Sequence, residues 1–89
     1  MQSCEVTICN RLGLHARAAA KLVGIASRYD AEVTLEKQGQ RVNGKSIMGV
    51  MMLAASQGSV LRITAEGRGE DAVLEALREL VADRFGEPE

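Results

Sequence analysis

This chain has no tryptophan, and its only aromatic residues are Tyr29 and Phe85. Two rings offer almost no platform on which bases could stack, which argues against a nucleic-acid partner. Long apolar runs are missing too. Nothing approaches the ~18 residues of a membrane span. The opening "MQSCEVTI" lacks the basic, apolar and small-residue blocks of a secretory leader. A cytoplasmic protein with no membrane partner is expected. Cysteine is sparse, with only Cys4 and Cys9. On one strand, residues five apart face opposite sides, so the two cannot pair and are expected to be reduced. Histidine is scarcer still: His15 is the only one.

The remainder is ordinary for a globular protein, at 46% apolar and 26% charged over 89 residues. That length suits one domain, residues 1–89, burying roughly 60–65% of the surface of the unfolded chain. A doubly wound nucleotide-binding sheet needs more chain. Charge is divided along the sequence. Residues 1–49 carry seven Lys/Arg against four Asp/Glu, whereas residues 50–89 carry four against eight. The basic half points to an anionic ligand or an acidic partner surface.

Periodicity supplies the elements. "CEVTIC" is rich in β-branched residues and reads as a first strand. From Ala16, the spacing of Ala19, Leu22, Val23 and Ala26 predicts a helix with one buried face, ending near Arg28. "AEVTLEK" alternates with Val33 and Leu35 inward, "QG" turns, and "QRVN" returns as a short strand. A second helix is expected to open at Ser46 and run through "IMGVMMLAA", with Val50, Leu53 and Ala54 as its buried stripe. "SVLRITAE" reads as the last strand, and Val73, Leu77, Leu80 and Val81 form the stripe of a final helix that frays at Gly86. The acidic "GEPE" reads as a mobile tail. The order β-α-β-β-α-β-α predicts an α+β fold: a four-stranded, mostly antiparallel sheet with three helices on one face, a split βαβ arrangement.

One motif misleads. "GQRVNGKS", residues 39–46, fits the phosphate-loop pattern G-x-x-x-x-G-K-[ST] letter for letter. A phosphate loop needs a buried strand running into an unbroken loop of N–H groups and then a helix. Here Gly39 falls in a hairpin turn, "QRV" is strand, and no apolar run ends in an Asp that would hold magnesium. The match is accidental.

His15 stands where a loop turns into the first helix, at or beside its N-cap. The N–H groups of Ala16, Arg17 and Ala18 precede the first helical hydrogen bond and form an anion site with the positive end of the helix dipole. Arg17 adds a guanidinium suited to phosphate. A nucleophilic imidazole beside such a site describes transient phosphorylation of histidine. The competing reading, a histidine that merely caps a helix next to a solvated arginine, stays open on spacing alone. A metal site from His15, Cys4 and Cys9 is set aside, because the cysteines face apart and no CxxC pattern exists. No catalytic Cys–His pair is expected either, since neither cysteine is placed on a helix start or an exposed loop. Ser46 is a favoured N-cap residue. The helix behind it is apolar nearly all round. Its surplus Ile47, Met48 and Met51 are either extra core or a docking patch, a use to which methionine is suited.

"GLHARAAAKLV" together with "VNGKSIMGVMMLAA" resembles the HPr family, the histidine-containing phosphocarrier proteins of the bacterial phosphoenolpyruvate-dependent phosphotransferase system. The likeness covers nearly the whole chain, in length and in order of elements. It implies an open-faced β-sandwich. It implies that His15 accepts a phosphoryl group on Nδ1 from phosphorylated enzyme I and passes it to a histidine of an enzyme IIA domain. Arg17 would steady the phosphate, and Ile47, Met48 and Met51 would join Ala16 and Ala20 in docking both partners. Ser46 would be a regulatory site for an HPr kinase/phosphorylase. Such a protein is a monomeric carrier and not an enzyme, with no metal or cofactor; the alternative is a module that regulates by binding alone, with the state of His15 or Ser46 as its signal. The chain departs from the family in having Ala18 where proline is usual. Its "HARAAAK" resembles the nitrogen-related branch as well as some sugar-branch carriers.

Overall fold

A computed structural model describes all of residues 1–89. Strands β1 (Gln2–Thr7), β2 (Glu32–Lys37), β3 (Gln40–Asn43) and β4 (Val60–Glu66) are joined by helices α1 (Ala16–Ala26), α2 (Ile47–Met52) and α3 (Glu70–Ala82), and a short 3-10 turn covers Arg84–Gly86. The sheet order is β1-β4-β2-β3. Every pairing is antiparallel. Because β4 lies between β1 and β2 and opposes both, those two run parallel to each other, with α1 as the crossover between them. This is the split βαβ form, and the fold is α+β as expected.

Alternation decides which face is covered. Val33, Leu35, Leu61, Ile63 and Ala65 are buried against the stripes of α1 (Ala18, Ala19, Leu22, Ala26) and α3 (Val73, Leu74, Leu77, Val81). Leu80, expected in that last stripe, is only partly buried. On the other face Glu5, Arg62, Glu36 and Arg41 stand opposite one another across all four strands. Their charges alternate in sign, which favours this register over a slipped one. Between β2 and β3, Gln38 and Gly39 have φ of 49° and 84°. That pair of left-handed residues makes a tight hairpin turn, so "GQRVNGKS" is turn, strand and helix cap rather than a phosphate loop.

Several expected boundaries moved. β1 ends at Thr7, which leaves Cys9 exposed on the following loop and its thiol directed at the Val81 carbonyl oxygen, 3.3 Å away. The expectation that neither cysteine lies on an exposed loop therefore fails for Cys9. Both cysteines are free. Burial pushes the Cys4 thiol above its ordinary pKa, an effect only partly opposed by Arg78. Helix α1 stops at Ala26, short of Arg28. Helix α2 is also shorter than expected: Leu53 caps it, Ala54 takes a φ of 49°, and Ala55 is buried in place of Ala54. Lys37 supports that ending by donating to the carbonyl oxygens of Leu53 (2.9 Å) and Ala54 (3.2 Å).

The loop that carries His15 is tied down before the helix begins. The N–H of Leu14 donates to Ala55 O (2.8 Å), and Leu14 itself is buried. Gly13 makes this approach feasible: its φ is 69°, and a Cβ there would lie 2.7 Å from Ala55 O and 2.9 Å from Ser56 Cα. Gly13→Ala should therefore lose about 2–4 kcal/mol, from the left-handed backbone and the clash together. Urea denaturation checks this; a loss under about 1 kcal/mol would mean that the loop is not held at this point.

Candidate functional site

His15 is the N-cap of α1, with extended backbone (φ −75°, ψ 179°). Its main-chain oxygen accepts the first helical bond, from Ala19 N (2.8 Å), and its Nδ1 accepts from Arg17 N (3.2 Å). An imidazole here replaces the usual hydroxyl or carboxylate cap. It places the Nδ1 lone pair at the positive end of the helix, among the first-turn N–H groups of Ala16, Arg17 and Ala18. Arg17 is exposed, and its guanidinium makes neither a hydrogen bond nor an ion pair. The neighbouring cations are already engaged. Lys21 donates to Phe85 O (2.6 Å) and Arg11 pairs with Glu89 (2.9 Å).

The other ring nitrogen was not anticipated. His15 Nε2 is hydrogen-bonded to Glu87 Oε2. Glu87 belongs to the segment expected to be a mobile tail. Instead, that segment is docked. Phe85 is fully buried in the core. Arg84, Phe85 and Gly86 all have positive φ (55°, 55° and 78°), which turns the chain back towards the start of α1. Glu89 O accepts from Arg11 N (3.0 Å). Asn10, wholly buried, donates from Nδ2 to both Gly13 O (2.8 Å) and Glu87 Oε1 (2.9 Å), while its Oδ1 has no partner. One buried amide thus joins the loop that positions His15 to the carboxylate that faces it. The side chains of His15 and Glu87 are 28% and 14% exposed, so water screens the pair only in part.

Ser46 is the N-cap of α2, as expected, and its Oγ accepts from Gly49 N (3.1 Å). Lys45 N donates to Asn43 Oδ1 (2.9 Å), and Lys45 Nζ to Tyr29 O (2.7 Å), so the lysine of the phosphate-loop look-alike ties down the turn that follows α1. On the choice between core and docking patch, the structure favours exposure. Ile47, Met48 and Met51 are solvent-exposed, Met48 by 77%, and only Val50 of the helix is buried. Ala16 and Ala20 are exposed on α1, which packs beside α2, whereas Ala18 is buried. Sequence reasoning also passed over Met52 on α2 and Leu12 in the loop before His15, both exposed.

The PTS-HPr family, described as the "PTS HPr component phosphorylation site", matches residues 2–83. The chain belongs to that family. It is 53% identical to the phosphocarrier protein HPr of Pseudomonas aeruginosa over 90 residues, covering 100% of both. It is also 42% identical over 83 residues to the phosphocarrier protein NPr of Shewanella violacea, covering 93% of this chain and 91% of that one. An HPr structure from Thermoanaerobacter tengcongensis superposes with a TM-score of 0.96 at 43% identity, covering 100% of each chain. The open-faced, four-stranded antiparallel sheet with three helices is therefore the HPr fold. The function is that of an HPr phosphocarrier of the phosphotransferase system, which is not an enzyme in its own right. No helix is long and apolar enough to cross a membrane.

Hydrogen bonds, first from Asn10 and then from His15, hold the Glu87 carboxyl below its ordinary pKa. The sign follows: a lowered carboxylate contributes stability that is present above the unfolded value of about 4.3 and lost as pH falls through the depressed folded value. The Glu87 side-chain carbon followed by NMR should titrate below that reference. A midpoint at or above it would show that the segment is not docked in solution.

Proposed function

We propose that His15 is the residue that carries the phosphoryl group, on Nδ1, receiving it from phosphorylated enzyme I and giving it to a histidine of an enzyme IIA domain in the cytoplasm. The observation that carries this reading is the placement of the Nδ1 lone pair at a helix start, where it accepts from Arg17 N. Nδ1 attacks the phosphorus of the donor phosphohistidine. The new N–P bond uses its lone pair, and the electrons of the broken bond return to the donor nitrogen. The transferring group carries negative oxygens, and Arg17 with the N–H groups of Ala16, Arg17 and Ala18 are fixed donors that need little reorganisation to meet them. When Nδ1 becomes bonded to phosphorus, the N–H of Arg17 loses its nitrogen acceptor and gains phosphoryl oxygens, so the helix cap is exchanged and not lost.

Docking is assigned to Ala16, Ala20, Ile47, Met48 and Met51, joined by Leu12. This apolar surface lies on two neighbouring helices and the loop before the first, mostly within the basic half of the chain, and it suits partners with an apolar centre and an acidic rim. The chain works as one domain and a monomer in this reading. An HPr dimer has been solved for T. tengcongensis, and a sedimentation mass of twice the chain's at micromolar concentration would contradict the monomer here.

Ser46 is proposed as a regulatory phosphorylation site for an HPr kinase/phosphorylase. Its hydroxyl is already bonded to a first-turn N–H of α2, and it sits directly before the docking residues Ile47 and Met48.

His15→Ala should abolish phosphoryl uptake from phosphoenolpyruvate and enzyme I while leaving the far-ultraviolet circular dichroism unchanged; uptake that survives would overturn the assignment. Arg17→Ala should retain transfer at a lower rate, since the N–H donors remain, with a loss of about 1.5–3 kcal/mol for one charge-assisted contact. Unchanged rates would leave Arg17 a surface residue. Ser46→Asp should fold at least as well as the parent, because Asp caps as well as Ser and its charge meets the helix start, a gain of up to about 1 kcal/mol. It should take phosphate more slowly, by repulsion from acidic partners that salt relieves. Lost stability with normal transfer would make Ser46 a plain cap.

A further inference from the structure

We infer that Glu87 is a positioning residue for phosphoryl transfer: its carboxylate holds a proton on His15 Nε2 through the cycle, so that Nδ1 is the nucleophile on uptake and a neutral imidazole is the leaving group on release. This deepens the reading of His15 above and rests on it. Three features of the structure support it. Glu87 Oε2 faces Nε2 directly. The second oxygen, Oε1, is fixed by the buried Asn10 amide, which also holds the backbone of the loop leading to His15. And the segment that delivers Glu87 is anchored by a fully buried Phe85 and by Lys21 Nζ on Phe85 O, in three consecutive left-handed residues, a conformation that non-glycine residues rarely adopt.

The chemistry follows from where the proton sits. In the resting ring Nε2 carries hydrogen and Nδ1 carries the lone pair, a choice set by the hydrogen bonds each nitrogen makes. After Nδ1 bonds to phosphorus the ring keeps that Nε2 proton and becomes a cation, with Glu87 as its counter-charge. On release the N–P bond breaks, its electron pair returns to Nδ1, and the ring leaves as neutral imidazole with Nε2–H still in place. Were the Nε2 proton lost from the phosphorylated ring, the departing group would be an anionic imidazolate, a far poorer leaving group. The other charged groups around this segment are Arg17 at the start of α1, Lys21, held on Phe85 O, and the ion-paired Arg11 and Glu89, whose charges offset each other. Glu87 is the anion that touches the ring.

The test uses the full chain phosphorylated by enzyme I and phosphoenolpyruvate, as wild type, Glu87→Gln and Glu87→Ala, at pH 7.5. Two quantities are read: the protonation of Nε2 from its 15N shift, and the rate of phosphoryl release to an enzyme IIA domain. The wild-type phosphoprotein should be predominantly protonated at Nε2. Glu87→Gln keeps an acceptor for the ring but loses the charge, so it should show a smaller protonated fraction and release about 10-fold slower or more. Glu87→Ala should do the same more strongly, about 10–100-fold, the range typical when a partner that orients a histidine is removed. Equal Nε2 protonation in wild type and Glu87→Gln would overturn the inference. So would slower release with protonation unchanged, which would leave Glu87 a structural tie. Failure of the wild type itself to take phosphate at His15 would defeat the carrier reading instead, and is seen before any variant is compared.

Discussion

A single hydrogen bond, from Arg17 N to His15 Nδ1, unites the fold and the chemistry. A helix start leaves N–H groups that need an acceptor, and ordinary sequences supply a hydroxyl or a carboxylate. In the reading proposed for His15, supplying an imidazole nitrogen makes the nucleophile part of the helix cap. The geometry that orders α1 is then the geometry that aims the reacting atom, and no separate pocket is required to hold it. What remains for the rest of the chain is to bring the loop to the helix at the right place. Leu14 and Gly13 do this by lying against Ala55 and Ser56.

The same device appears twice with different chemistry. Ser46 caps α2 with an oxygen, and His15 caps α1 with a nitrogen. Both first turns adjoin exposed apolar residues. In the proposed reading each cap is an acceptor for phosphate next to a docking face, which suits a carrier because the partner brings the rest of the reaction site.

Much of this was legible in the chain. Period-2 and period-3.6 patterns located the strands and helices, and "GLH" followed by alanines marked the helix start at which a lone histidine gains meaning. "QG" marked the turn that breaks the phosphate-loop pattern. Other features were illegible because they depend on contacts distant in sequence. The end of α2 is set by a tertiary contact, Lys37 reaching the carbonyl groups of Leu53 and Ala54, and apolar letters continue past that end. The docked segment was missed for a similar reason: "GEPE" is acidic and short, as tails are, and Glu87 meets Asn10 and His15 across more than seventy positions of sequence. Phe85 was the available signal. A lone phenylalanine just past a helix is a poor candidate for solvent and a good one for an anchor.

The central claim is that the cap nitrogen is the one that carries phosphate. With the protein labelled in its histidine ring by 15N and phosphorylated through enzyme I, phosphorus–nitrogen coupling identifies the bonded atom without any substitution. Coupling to Nδ1 of His15 is the result that this account predicts. Coupling to Nε2, the nitrogen that Glu87 holds, would contradict it, and so would phosphate found on any residue other than His15.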